Sequence, residues 1–287
     1  MWKVNPPVVT PEEIARECVK RITDKDRAAR VRKAAPNLAQ NSLAFQQRIA
    51  NHTVAGIITS PPVVTGVADD EMKWLYDSQL AQKGRPAYEG SRQRLLAAAP
   101  YGQCSYCQFG VAKTLDHFIP KSLMPTLSID PWNLVPCCHQ CNHEIGDSFS
   151  LDPAEQFLHP YAMPHTGRWL SAKVEHTDPV TVTFTAEPSL SLSRGIAARI
   201  IHQFTSFELA AMYSVASATE IAQLSLTFTR VYGHNKPDDT RKSLLQDAAG
   251  ALEENENSRR GIMLQALADD QWFCETGYSL AKLASAS

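Results

Sequence analysis

Two Cys-x-x-Cys pairs, CSYC at 104–107 and CHQC at 138–141, constrain this chain more than any other feature. Each pair can close a tight turn that aims two thiolates at one point. Four thiolates complete the tetrahedral shell of a structural zinc ion. Binding such an ion is worth roughly 10–16 kcal/mol in peptides, enough to hold together a small element with little apolar core. Five of the seven cysteines, Cys104, Cys107, Cys137, Cys138 and Cys141, crowd into this block, and the opening MWKVNPPVVTPEE lacks the basic and apolar regions of a secretory signal. The chain therefore reads as cytoplasmic, where clustered cysteines favour metal over disulfides. Cys137 and Cys138 are adjacent and either could reach the ion; the spacing to Cys141 favours Cys138. Cys18 and Cys274 read as small core residues. A closed four-cysteine shell has no open position, so catalysis falls to other groups.

Those groups lie between and just beyond the two pairs. The run TLDHFIPKSLMPTLSIDPWNLVPCCHQCNHE offers Asp116, His117, Asn133, His139, Asn142, His143 and Glu144. Carboxylate and amide oxygens suit a hard cation such as Mg²⁺, and an imidazole titrates near neutrality. Successive strand residues point to opposite faces, so Asp116 and His117 share a site only if the strand ends there. Pro120 supplies a reason for it to end. Each residue also has a plainer role open to it: Asp116 as a cap or lysine partner, Asn133 as a turn residue, Asn142 as a helix cap, His139 and His143 as surface residues.

The stretches CSYC, LDHFIP, WNLVPCC and CHQCN, in that order and spacing, resemble the HNH (His-Asn-His) nucleases of the ββα-metal fold. The resemblance covers about residues 100–165, including the trailing FLHPY. It implies a metal-dependent endonuclease that hydrolyses phosphodiester bonds of DNA. His117 would be the general base, and Asn133 would orient it by holding the Nδ1 proton. Asp116 and Asn142 would bind a catalytic Mg²⁺ or Mn²⁺, with His143 an alternative to Asn142. Cys104, Cys107, Cys138 and Cys141 would hold the zinc. Relatives often carry a lysine three positions after the final Asn, where this chain has Ile145. Lys113, Lys121 or the basic N-terminal helix is expected to supply that phosphate contact. The resemblance further suggests a role in defence against foreign DNA.

The fold expected is α+β and mainly helical, with the ββα-metal core and its zinc site embedded between helical flanks. Three regions follow: an N-terminal helical region over 1–99, the nuclease element over 100–165, and a β-hairpin with C-terminal helices over 166–287. Thr10, Pro11, Glu12 and Glu13 announce a helix start, and Pro36 is expected to split the 11–52 stretch in two. A helical stretch from Asp69 to Ala99 breaks around Gly84 and Pro86. Val180, Val182 and Phe184 alternate with threonines in a strand that pairs with one near 169–175, giving a hairpin near 169–186. Helical spacing returns over 193–232 and 238–271.

Charge bears on partners. A net charge of −2 and a sequence pI near 6.5 carry no global nucleic-acid imprint. Any DNA contact must be local, and residues 16–33 hold eight Lys or Arg against three acids. The competing reading of that run is a solvated helix face. Weak intrinsic affinity favours recruitment by a partner such as a defence-system ATPase or sensor. A zinc-knuckle subunit that binds nucleic acid, with vestigial or partner-dependent catalysis, is the alternative. One site cuts one strand, so a double-strand break needs a second copy of the chain or a second visit. No apolar run is long enough for a membrane span.

Overall fold

Thr10 opens the first helix, α1 (Pro11–Cys18), through a reciprocal cap: its hydroxyl accepts from the Glu13 N–H at 3.2 Å while the Glu13 carboxylate accepts from the Thr10 N–H at 3.1 Å. The second helix, α2 (Lys25–Ala50), is capped by Asp24, which accepts from the Arg27 N–H at 2.8 Å. The split expected at Pro36 is therefore at 19–24 instead. Pro36 lies inside α2 on its exposed side, where water can satisfy the carbonyl that the missing N–H leaves free. On the opposite side Ala28, Val31, Ala34, Leu38, Phe45 and Ile49 are buried at helical spacing, and their burial keeps the helix continuous.

The computed structural model describes residues 4–147, 149–231 and 237–280. The chain divides into two compact units, Met1–Pro164 and His165–Ser287. The architecture is mainly helical with two small antiparallel hairpins. Among the described residues no helix is long and apolar enough to cross a membrane.

In the first unit, α3 (Gly56–Thr59) and α4 (Asp69–Trp74) follow α2, and α4 runs directly into a π-helical turn over Leu75–Leu80. After the break around Gly84 a second π-helical turn, Tyr88–Arg92, leads into α5 (Gln93–Ala97). The cysteine-rich element comes next. Its strands β1 (Thr114–His117) and β2 (Leu134–Cys137) pair antiparallel, with Asp116 opposite Val135 and His117 opposite Leu134, and α6 (His139–Ile145) follows at once. Leu115, Ile129 and Leu134 belong to the same buried cluster as Ile14, Val31, Leu38, Met72, Leu75 and Leu95. The boundary expected at residue 99 thus runs through one continuous core.

In the second unit, β3 (Leu170–Glu175) and β4 (Thr181–Ala186) form the expected hairpin, with Val174 opposite Val182. Val180, Val182 and Phe184 are buried. The hairpin packs against α8 (Leu209–Val231) and α10 (Arg259–Asp269), while α7 (Arg194–Ser206), α9 (Pro237–Glu254) and α11 (Gln271–Glu275) complete the unit. The long 193–232 stretch breaks at Glu208, whose φ of 49° is left-handed. Asn257 ties the start of β3 to the helices, accepting from the Trp169 and Leu170 N–H groups at 2.7 and 2.9 Å.

Candidate active site

Cys104, Cys107, Cys138 and Cys141 are all buried, and their sulfurs lie within 4.8 Å of one another. The Cys107 and Cys138 sulfurs are 3.9 Å apart, close to the edge of a tetrahedron built on Zn–S bonds of about 2.3 Å. Backbone donors already point at two of the sulfurs. Gly110 N–H reaches Cys107 Sγ at 3.3 Å and Cys141 N–H reaches Cys138 Sγ at 3.4 Å. Hydrogen bonds from its three cysteine neighbours hold the Cys138 thiol far below its ordinary range, while the same crowding drives that of Cys141 up. Four cysteine sulfurs this close could hold a metal ion, and the donor set fits zinc. Gly110 lets the two turns meet, because a Cβ there would lie 2.7 Å from Cys138 Cβ and 2.8 Å from its sulfur.

Cys137 faces elsewhere. Its register opposite Thr114 turns its sulfur to the Thr114 hydroxyl at 3.1 Å and towards Asn142 Oδ1 at 3.9 Å. Strand alternation thus separates the two adjacent cysteines, and Cys138 is the one in the cluster.

The cysteine turns also build the neighbouring cleft. Tyr106, between Cys104 and Cys107, is fully buried and donates its hydroxyl to Asp116 Oδ2 at 2.8 Å. Burial pushes the Asp116 carboxyl up to about 7, against the lowering effect of that hydrogen bond. Strand β1 ends at His117, so Asp116 and His117 both reach one cleft of about 530 Å³. Tyr76, Lys121, His139, Asn142, His143 and Asp147 also line it. Among the expected site residues, Asp116, His117, Asn142 and Lys121 therefore converge. Lys113 is exposed at the edge of β1 and is not in the cleft wall.

Asn133 is also outside the cleft wall, and its role differs from the expected one. Its side chain is fully buried, accepts from Ile119 N–H at 2.8 Å, and donates to the carbonyls of Ile119 at 3.0 Å and Leu127 at 3.3 Å. It clamps the loop after β1 and makes no bond to the imidazole. The group that holds His117 is the Ser128 carbonyl, 2.9 Å from Nε2. A carbonyl only accepts, so the proton sits on Nε2 and the unprotonated nitrogen is Nδ1, the reverse of the expected tautomer. Burial outweighs this bond and lowers the His117 pKa to about 4, keeping the ring neutral.

Contacts of Tyr76, Lys121, His159 and Tyr161 support the arrangement. The Tyr76 ring meets the His117 ring edge-on at 4.3 Å, with 65° between their planes. Lys121 forms an ion pair with Asp77 and lies 5.2 Å from the centre of the Tyr76 ring. In the FLHPY segment, His159 bonds Trp132 O through Nε2 at 2.9 Å, and the Tyr161 hydroxyl donates to Leu134 O at 2.8 Å, bracing β2 from behind. Lys121 and the FLHPY segment were marked in the sequence; Tyr76 was not, and the only local signal for Tyr106 was its place inside a cysteine turn. Ile145, at the position where a lysine was missed, is buried and packs inward.

The basic run at 16–33 is partly neutralised. Arg27 and Arg30 share Glu71 at 3.1 and 3.0 Å, and Arg27 covers the Trp74 ring at 4.4 Å.

The chain is similar to Protein ea31 of Escherichia phage lambda, 27% identical over 167 residues, which span 56% of this chain and 56% of that protein. It thus spans about half the length of the curated relative it matches. No family model matches the sequence, and no solved structure matches it either.

Proposed function

We propose that this protein is an HNH-type, metal-dependent endonuclease that hydrolyses phosphodiester bonds of DNA. One observation carries the reading: Asp116, His117, Asn142 and Lys121 line a single cleft beside a four-cysteine cluster. A carboxylate, a neutral imidazole, an amide and an ammonium in one open cleft are what hydrolysis of a phosphodiester requires.

In this mechanism His117 takes a proton from the attacking water at Nδ1, the nitrogen left free by the Ser128 carbonyl. The water oxygen bonds to phosphorus, the bond to the 3′ oxygen breaks, and that oxygen leaves with a proton from solvent. General-base assistance of this kind is worth ~10²–10⁴-fold. Asn133 contributes by fixing the loop whose Ser128 carbonyl holds His117. Asp116 and Asn142, or His143 in its place, would hold a Mg²⁺ or Mn²⁺ ion that supplies positive charge to the phosphate and the leaving oxygen. Lys121 meets the phosphate when it exchanges Asp77 for the substrate.

The test is nicking of supercoiled plasmid with Mg²⁺ or Mn²⁺, beside His117→Ala and an EDTA control. Nicking that disappears in both controls is the expected result. Equal activity in the wild type and His117→Ala would sink the proposal.

The net charge of −2 favours a second element, recruitment by a protein partner in defence against foreign DNA. Copurification with a stoichiometric partner is expected, and its absence would remove this element. If the protein binds DNA but never nicks it, with or without that partner, the nucleic-acid-binding reading replaces the nuclease.

A further inference from the structure

We infer that Tyr76, supplied by the N-terminal helical region, is a positioning residue that holds His117 in the one ring orientation that presents Nδ1 to the cleft. This deepens the nuclease reading and rests on it for the identity of the reaction. The geometric claim stands on contacts alone.

His117 has one hydrogen-bonded anchor, Nε2 to Ser128 O at 2.9 Å. A single bond fixes the position of one nitrogen and leaves the ring free to swing about it. The edge-on contact with Tyr76 at 4.3 Å removes that freedom, and such aromatic contacts favour one relative orientation. Tyr76 also meets the strand that carries the imidazole, a contact that marks its place but is not needed for the ring to pack on His117. Its hydroxyl donates to the Leu115 carbonyl at 3.2 Å, on the strand that carries Asp116 and His117, and the Arg92 guanidinium stands beside the same hydroxyl.

The backbone beneath Tyr76 points the same way. Tyr76 sits in the π-helical turn Leu75–Leu80, and Arg92 ends the other such turn, Tyr88–Arg92. A π-turn gives up regular i to i−4 bonding, and such turns recur at functional sites. Here it delivers Tyr76 to the imidazole and, on the next residue, Asp77 to Lys121.

The test uses the full zinc-loaded chain with Tyr76→Phe, which keeps the ring, and Tyr76→Leu, which keeps apolar bulk without it. The first readout is the pair of ¹⁵N signals of the His117 ring, measured without DNA. Wild type and Tyr76→Phe should show the Nε2–H tautomer alone, and Tyr76→Leu should show signals averaged between tautomers, with His159 unchanged as the control for folding. The second readout is plasmid nicking. Tyr76→Leu should lose about tenfold to a hundredfold in kcat with KM within about twofold, and Tyr76→Phe should stay within about threefold of wild type. Folded Tyr76→Leu with wild-type ring signals would overturn the inference, as would Tyr76→Phe behaving like Tyr76→Leu. If wild type nicks nothing, the nuclease reading fails while the ring signals still decide the role of Tyr76.

Discussion

Replacing Asn133 separates two roles that its position in the motif had merged. Its side chain makes one bond as acceptor and two as donor, all inside the protein. In Asn133→Ala all three bonds go, and the Ile119 N–H and the two carbonyls lose their side-chain partner in a buried place. At about 1 kcal/mol net per bond, with an added cost for buried groups left unpaired, the loss should be about 2–4 kcal/mol. Asn133→Asp is the sharper test. It keeps an acceptor for Ile119 N–H but turns an oxygen towards two carbonyl oxygens, so at pH 7 it should cost at least as much as alanine. Protonation would restore one donor, so the introduced carboxyl has a raised pKa in the folded state. A raised folded-state pKa gives stability that is present at low pH and lost as pH rises, so Asn133→Asp should recover stability between pH 7 and 5. Urea unfolding at both pH values, with an unchanged m-value, reads this directly. An acceptor role towards the imidazole would predict the opposite, since a carboxylate accepts better than an amide. Wild-type stability and nicking in Asn133→Asp at pH 7 would refute the clamp.

Three further outcomes are expected. Elemental analysis should find about one zinc per chain, lost in Cys138→Ser and kept in Cys137→Ser; the reverse pattern would exchange the two cysteines. Because the Asp116 carboxyl is pushed up to about 7, protons would compete below that pH with the divalent ion proposed to bind there. Nicking at limiting Mg²⁺ should therefore fall between pH 7 and 5 and return when Mg²⁺ is raised tenfold, which is checked by rate measurements across that grid. His159 is buried and its pKa is pushed down to about 3, below the ordinary 6.5. The unfolded chain then binds the proton first, so the stability that His159 contributes is present above pH 6.5 and lost as pH falls towards 3, by at most about 1.4 kcal/mol per pH unit. The stability gap between wild type and His159→Gln should shrink on acidification, and a gap independent of pH would contradict this.

The four-cysteine cluster was legible because two short spacings specify it without help from the rest of the chain. The spacing to Cys141 chose Cys138 over Cys137, and strand alternation in the fold agrees with it. The convergence of Asp116 and His117 was legible only conditionally, on the strand ending where it does. Pro36 misled because a proline breaks a helix by default, and whether its lost bond is tolerable depends on which side faces water. Asn133 misled differently: its residue type and position fit two hydrogen-bond patterns, and only the fold of the 118–128 loop selects between them. Tyr76 was silent, because it reaches Leu115 across 39 positions of sequence and its helical spacing reads as ordinary core.

The continuous core of the first unit bears on how such an element can be inherited. Leu115, Ile129 and Leu134 share one buried cluster with residues of α1, α2 and α4, and Leu115 also lines the cleft. A cassette cut at residues 100–165 would carry its cysteines and its Asp-His pair with it, yet would arrive with a bare apolar face and no tyrosine over the imidazole. The compact unit that holds the cleft runs to residue 164 and includes those helices. Within it, the buried side of α2 and Leu115, which lines the cleft, belong to one apolar cluster.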